Sequence, residues 1–478
     1  MANSSYEAVI GLECHVQLAT HSKMFCGCPT DYSGAAPNTH VCPICLGMPG
    51  VLPVINRVAV EYTLLTGLAM NSEIPEATKF DRKNYPYPDL VKGYQISQYD
   101  LPLVKGGWVE ITTPGSPAPR RIRLERVHLE EDTGKLTHAA GGSLVDFNRS
   151  GVPLMEMVSQ PDLRSPAEAR AYLLKLRAIL RTLGVSDADM EKGQLRCDVN
   201  VSLKPVGQEQ LGTKVEVKNL NSFRAVQHSL EYEIARQTEV LERGERIPQE
   251  TRGWVDERGV TVSQRSKEEA HDYRYFPEPD LPPLFVERAW VEELRARLPE
   301  LPDARRARYM AAFGLGAYDA EALSTDGLAA RLFEDTVRAG ADAKKAANWI
   351  QNDVARLRDS NGDGHVLEPA HLAELIRLVD DGVIGISAAR QVLPEVFKDR
   401  TGKGPRQLVE ELGLAQVSDS SALEEAARAA IESNPAAVAD YKSGKDSAIN
   451  FLKGQVMKAT RGKANPQIAE EMLRKLLI

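Results

Sequence analysis

Apolar and polar residues alternate in three stretches of this chain, the second more strictly than the first. In Val9–Leu18, Glu13, His15 and Gln17 face one way, and Leu12, Cys14, Val16 and Leu18 the other. In Leu195–Leu203 the polar set is Arg196, Asp198, Asn200 and Ser202; in Lys214–Lys218 it is Lys214, Glu216 and Lys218. A period of two marks half-buried strands, usually antiparallel. Such a polar face is ordinarily just solvated. These three carry carboxylates, amides, a histidine and basic groups, so they also fit a sheet whose concave face binds something charged. The period becomes helical at Ser165–Leu183, with Pro166 in the first turn, and at Ser222–Arg243. Pro277, Pro279, Pro282 and Pro283 then punctuate the chain, and beyond about Arg288 the pattern is helical. The expected architecture is α+β: a domain at 1–292 with an antiparallel sheet, then two all-α domains at 293–405 and 406–478. A linker is expected at Gly402–Pro405.

Composition changes this picture little. The 478 residues carry a net charge of -8, which does not advertise nucleic-acid binding. Local patches matter more than the total, and one basic run exists. Lys442, Lys445, Lys453, Lys458, Arg461 and Lys463 stand against Asp446 alone, interleaved with Tyr441, Phe451 and Met457. It is either a solvated surface or a grip on a phosphate backbone. No stretch approaches the ~18 apolar residues of a membrane span, and the first residues lack a secretory pattern. The expectation is a cytoplasmic protein with no membrane association.

The cysteines change it more. Cys26-x-Cys28, thirteen residues, then Cys42-x-x-Cys45 places four thiols in two close pairs, the pattern of a tetrahedral structural zinc site. A second metal is suggested by Glu13 with His15, and by Glu130, Glu131 and Asp132 after His128. Oxygen-rich ligation with an occasional histidine suits magnesium. Alternation puts Glu130 with His128 and Glu131 with Leu129, and spacing alone does not say which glutamate is the ligand.

The densest stretch is Leu144–Met157, with Asp146, Asn148, Arg149 and Glu156 around a Gly-x-Pro turn. Charges so placed suit a site for phosphate and a divalent metal, or else a structural ion-pair corner. Three other patterns fail. Gly207-x4-Gly212-Thr-Lys214 has the wrong residue order for a phosphate loop and precedes a strand. Asp359–Ala370 lacks the glutamate that closes a calcium loop. Ala140-Gly-Gly-Ser143 has no partner for a nucleophilic serine.

Together these pieces resemble the B subunit of the tRNA-dependent amidotransferases, from about Tyr6 to the end. Val9-Ile-Gly-Leu-Glu-Cys-His15, Lys79–Tyr85, Tyr94–Tyr99, Leu129–Lys135, Val145–Met157, Leu195–Asn200, Lys218–Phe223 and Asp272–Asp280 carry the likeness. The resemblance implies a cradle domain related to the catalytic fold of glutamine synthetase and the guanidino kinases. A helical domain and a tRNA-gripping tail would follow. It implies ATP-dependent phosphorylation of the side-chain carboxylate of misacylated Glu-tRNA(Gln) or Asp-tRNA(Asn), then amidation by ammonia. By motif, Glu13, His15 and Glu131 would hold magnesium, with Glu156 beside them. Lys83 and Asp198 would line the phosphorylation pocket, and Arg149 would contact phosphate. Cys26, Cys28, Cys42 and Cys45 would hold zinc. No glutaminase machinery is evident, so the resemblance also implies an amidase-like A subunit supplying ammonia and a small C subunit. The non-discriminating aminoacyl-tRNA synthetase joins the expected partners.

Overall fold

The computed structural model describes residues 5–113, 118–266, 273–361, 367–398, 402–415, 420–460, 464 and 466–477. Asp272, Arg461, Lys463 and the centre of the calcium-like loop lie outside them. The chain divides into two compact units, Met1–Pro302 and Asp303–Ile478.

Nine strands form the main sheet of the first unit: β1 (Tyr6–Gln17), β2 (Val104–Lys105), β3 (Trp108–Ile111), β4 (Arg120–Glu131), β5 (Pro153–Ser159), β6 (Leu195–Pro205), β7 (Val215–Lys218), β8 (Glu250–Val255) and β9 (Val260–Ser266). Their order is β9-β8-β7-β6-β1-β5-β4-β2, with β3 also on β4. All pairs are antiparallel except β7 with β8.

One face of this sheet is the core. Ile10, Leu12, Cys14 and Val16 of β1 lie there with Met155 and Met157 of β5 and Val199 and Val201 of β6. Helices α1 (Arg57–Ala69), α2 (Pro166–Leu183) and α3 (Phe223–Glu242) cover them with Leu64, Leu173, Leu176, Val226 and Leu230. Each fully buried side chain of this size contributes on the order of 1.5–3 kcal/mol. The helices begin where the caps dictate. Ser165 Oγ accepts the Glu168 N–H at 3.2 Å and Ser222 Oγ the Ala225 N–H at 3.0 Å. Gly184 closes α2 in the left-handed region, at φ 69°.

The second unit is helical among its described residues and holds two separate cores. Tyr309, Phe333, Ile376 and Val392 belong to one, and Leu423, Leu452, Val456 and Leu473 to the other. Pro405 opens the helix Pro405–Glu411, whose Leu408 and Val409 pack into the first of these cores. No described helix is long and apolar enough to cross a membrane.

Candidate active site

The sheet face opposite the core is charged, and the strand register explains how. Glu13 of β1 lies opposite Asp198 of β6, and His15 lies opposite Glu156 of β5. Glu156 in turn lies opposite His128 of β4. Alternation then brings Glu130 to the same face. Residues scattered over most of the first 200 positions thus form one cluster.

Its distances are short. His15 Nε2 is 3.3 Å from Glu156, 3.8 Å from Glu13 and 3.9 Å from Glu130. His128 Nε2 is 3.4 Å from Glu156 and 3.8 Å from Glu130. His128, Glu130 and Glu156 are buried. Two groups could each hold a cation, with ligand atoms all within 4.8 Å: Glu13, His15 and Glu156, and His128, Glu130 and Glu156. A buried carboxylate must be paired or metal-bound, and here the histidines do the pairing. Burial would strip the proton from His15, but Glu156, Glu130 and Glu13 hold its pKa up, to about 9. Burial would raise Glu156, yet His128 and His15 keep it well below the usual carboxylate range. Glu13 is pushed up by its burial and by Glu156.

Basic groups flank the cluster. Lys83 sits on the short strand Asp81–Asn84, which pairs with Tyr94–Ser97 and Phe276–Pro277. This small sheet docks on the end of β4: Ser97 Oγ donates to Glu130 at 3.0 Å, and the Ile96 N–H to Glu131 at 3.0 Å. Lys83 is thereby set 5.1 Å from the Tyr273 ring and 5.9 Å from the Tyr85 ring. Burial would lower its pKa, but Glu130, Tyr275 and Glu156 raise it above the ordinary lysine value. On the other side Lys218 Nζ donates to Asp198 at 2.8 Å and lies 3.5 Å from Glu216. Arg196, on the same strand face as Asp198, donates to buried Asp132 at 3.0 Å.

The structure thus brings Glu13, His15, Glu156 and Asp198 to one face, with Lys83 beside it. Two expected residues do not join them. Glu131 lies one residue beyond Glu130 and so points to the other side of β4, where Lys92 and the Ile96 N–H hold it. Glu130, not Glu131, lies on the face shared by His15 and Glu156. Arg149 donates to the carbonyls of Thr133 at 3.0 Å and Gly134 at 2.7 Å and lies 3.7 Å from Asp132. Its guanidinium pins a turn. Sequence reasoning paired His128 with Glu130 by alternation but gave it no role. It likewise put Lys218 on a polar strand face without giving it a role.

Asp146 and Asn148 have a different task. The Asn38 N–H donates to Asp146 at 3.0 Å, the His40 N–H donates to Asn148 Oδ1 at 2.8 Å, and Asn148 Nδ2 donates to the Ala36 carbonyl at 2.7 Å. The densest motif thus clamps the cysteine loop. In that loop the four sulfurs of Cys26, Cys28, Cys42 and Cys45 lie within 4.8 Å of one another, and all six cysteines are free of disulfides. The Cys26 thiol and the Cys42 N–H stabilise Cys45 as thiolate against its burial, and Lys23 Nζ, 3.6 Å away, adds to this; its pKa falls to about 4. Four sulfurs this close fit a tetrahedral metal.

An antiparallel sheet with a metal-competent carboxylate face beside a cysteine-clasped loop defines a class of charge-handling site. Comparison with known proteins supplies the family. Residues 8–292 match the GatB/GatE catalytic domain, and residues 331–477 match the GatB domain. The chain is 52% identical to a protein of Carboxydothermus hydrogenoformans over 98% of both chains. It is 55% identical to one of Moorella thermoacetica, over 99% of this chain and 100% of that one, and 53% identical to one of Brevibacillus brevis over 99% of both. All three are named as the B subunit of an aspartyl/glutamyl-tRNA(Asn/Gln) amidotransferase. The chain belongs to this family of amidotransferase B subunits.

Proposed function

We propose that this chain is the kinase and transamidase subunit of a heterotrimer that converts Glu-tRNA(Gln), Asp-tRNA(Asn) or both to the amide. The supporting observation is the cluster of Glu13, His15, Glu156 and Glu130 with Lys83 and Asp198 at its edges. A carboxylate does not accept ammonia readily. Transfer of the γ-phosphoryl group of ATP to it makes an acyl phosphate, from which ammonia displaces phosphate.

Glu13, His15 and Glu156 would hold magnesium, which when bound neutralises charge on the transferring phosphoryl group. Lys83 supplies a fixed positive charge facing the same place. Asp198, held by Lys218, shapes the site's edge and orients that lysine. Ammonia comes from an amidase-like A subunit, with a small C subunit binding both. Cys26, Cys28, Cys42 and Cys45 would hold zinc in a structural role, since all four ligand positions are filled by protein.

The first domain, at 1–292, is in this reading a cradle sharing its fold with glutamine synthetase and the guanidino kinases. A helical domain at 293–405 and a tRNA-binding tail at 406–478 follow, and the protein works in the cytoplasm. The test is to trap the acyl phosphate with hydroxylamine in the full complex given ATP, magnesium and Glu-tRNA(Gln). The reading expects γ-glutamyl hydroxamate from the wild type and none from Glu156→Gln, the α-hydroxamate that hydroxylamine makes from the aminoacyl ester being the same in both. Equal yields from the two would contradict it.

A further inference from the structure

Lys23, three residues before the first cysteine of the loop, is only 1% exposed. A charge so buried needs an opposite charge beside it. Among the described residues no carboxylate forms an ion pair with it. The three donors of its ammonium meet three other acceptors instead. Nζ donates to the His40 carbonyl at 2.8 Å, to the Phe147 carbonyl at 3.4 Å and to Cys45 Sγ at 3.6 Å. Carbonyl dipoles solvate a cation but leave its charge unbalanced.

The balance lies in the sulfurs. Four thiolates around one divalent ion leave two negative charges, and Cys45, one of the four, is buried. Lys23 offsets one of those charges, and it does so at one sulfur. Cys45 Sγ accepts from Lys23 and also from the Cys42 N–H at 3.1 Å. A sulfur that accepts hydrogen bonds beside a cation holds its electrons more tightly and attacks electrophiles more slowly. The surroundings keep the ammonium in place. The Lys23 N–H donates to the Cys28 carbonyl at 2.9 Å, and the Met24 N–H to the Gly151 carbonyl at 2.7 Å. Ser150 Oγ donates to the Cys45 carbonyl at 3.2 Å. A Cβ on Gly151 would lie 3.5 Å from Cys45 and 3.6 Å from the Lys23 stem, so both side chains pack against the turn at 147–151.

We propose that Lys23 is the charge-balancing and positioning residue of the cysteine centre, making Cys45 the least reactive of its four ligands and tying it to the turn that leads into β5. The inference rests on the zinc reading above.

The experiment compares the full-length wild type with Lys23→Met, which removes the charge and keeps most of the side chain's length. Each is loaded with cobalt in place of zinc for absorption spectra. Each is also loaded with zinc for alkylation by iodoacetamide, mapped cysteine by cysteine. Both proteins are expected to show the cobalt bands of four tetrahedral thiolates. In Lys23→Met the thiolate-to-cobalt charge-transfer band moves to lower energy, because one sulfur has lost a cation and a donor. Alkylation of Cys45 rises at least about tenfold. Cys26, Cys28 and Cys42, which accept no hydrogen bond from Lys23, change far less.

An unmoved band, or unchanged Cys45 reactivity, would overturn the proposal. So would acceleration shared equally by all four cysteines, because the substitution would then have opened the loop rather than removed a charge. The wild type decides separately, without a variant. Imidoester labelling of its lysines is expected to spare Lys23 while zinc is bound and to reach it once a chelator has removed the metal. Labelling that ignores the metal would overturn the proposal. A wild type that takes up neither zinc nor cobalt would overturn the zinc reading itself, and this inference with it.

Discussion

At the scale of single residues, the decisive point is which glutamate of the Glu130–Glu131 pair faces the cluster. Period-two alternation already paired Glu130 with His128, so this was legible in principle. What was not legible was whether β4 runs straight through Glu131, which only its pairing of Glu131 with Pro153 establishes. Glu130→Gln is expected to weaken magnesium binding to the complex at least about tenfold, while Glu131→Gln, which still accepts the Ile96 N–H, changes it far less. Manganese titration followed by electron paramagnetic resonance would check this; the reverse order would return Glu131 to the metal. Asp132 gives a prediction about pH. Burial would raise its pKa, but Arg196 and Arg149 hold it below the usual range. A depressed carboxylate contributes stability that is present above its unfolded pKa, about 3.9, and is lost as the pH falls through its lower folded value. Asp132→Asn should therefore lower Tm near neutral pH and flatten its decline below about pH 4. Parallel melting curves would show no such convergence if Asp132 were unimportant.

At the scale of elements, strand alternation placed Glu13 with His15 on one face of β1, and Asp198 with Arg196 and Asn200 on one face of β6, because period two depends only on local geometry; that the two faces coincide needed the strand register. The Leu144–Met157 stretch was harder to read. It is one motif by sequence but two devices in space, with Glu156 serving the charged face and Asp146 and Asn148 serving the cysteine loop. The loop's partners lie more than 100 residues away, a separation no local pattern reports. Asn148→Ala leaves the His40 N–H and the Ala36 carbonyl without partners and should cost about 1–3 kcal/mol locally. The expected outcome is faster zinc release to a chelator, followed with a metallochromic dye, and a lower Tm. Release at the wild-type rate would show that the four cysteines hold the loop without the clamp.

At the scale of the whole molecule, the change from a sheet-based first unit to a helical second one was legible from composition and periodicity. The assignment of Leu408 and Val409 to the first helical core of that unit was not, since a Gly-Lys-Gly-Pro stretch reads as a break whichever core the next helix joins. The basic run divides in space too. Lys442, Lys445 and Lys458 are exposed, Lys445 lying 3.3 Å from Asp440, whereas half-buried Lys453 pairs with Glu470 at 2.7 Å. Replacing the three exposed lysines with alanine should weaken tRNA binding across sequences and lower the salt slope by roughly 0.7–0.9 per lost phosphate contact. A salt titration of binding checks this, and an unchanged slope would make the run ordinary solvated surface. The account as a whole stands on the carboxylate face as the place where ATP is used. The most direct measurement is γ-phosphate release from ATP by the complete complex, with and without Glu-tRNA(Gln), in wild type and Glu13→Gln. Release that requires the misacylated tRNA and disappears in Glu13→Gln is the predicted result. Release that ignores this substitution would contradict the account and leave the chain as a tRNA-presenting scaffold for chemistry in a partner.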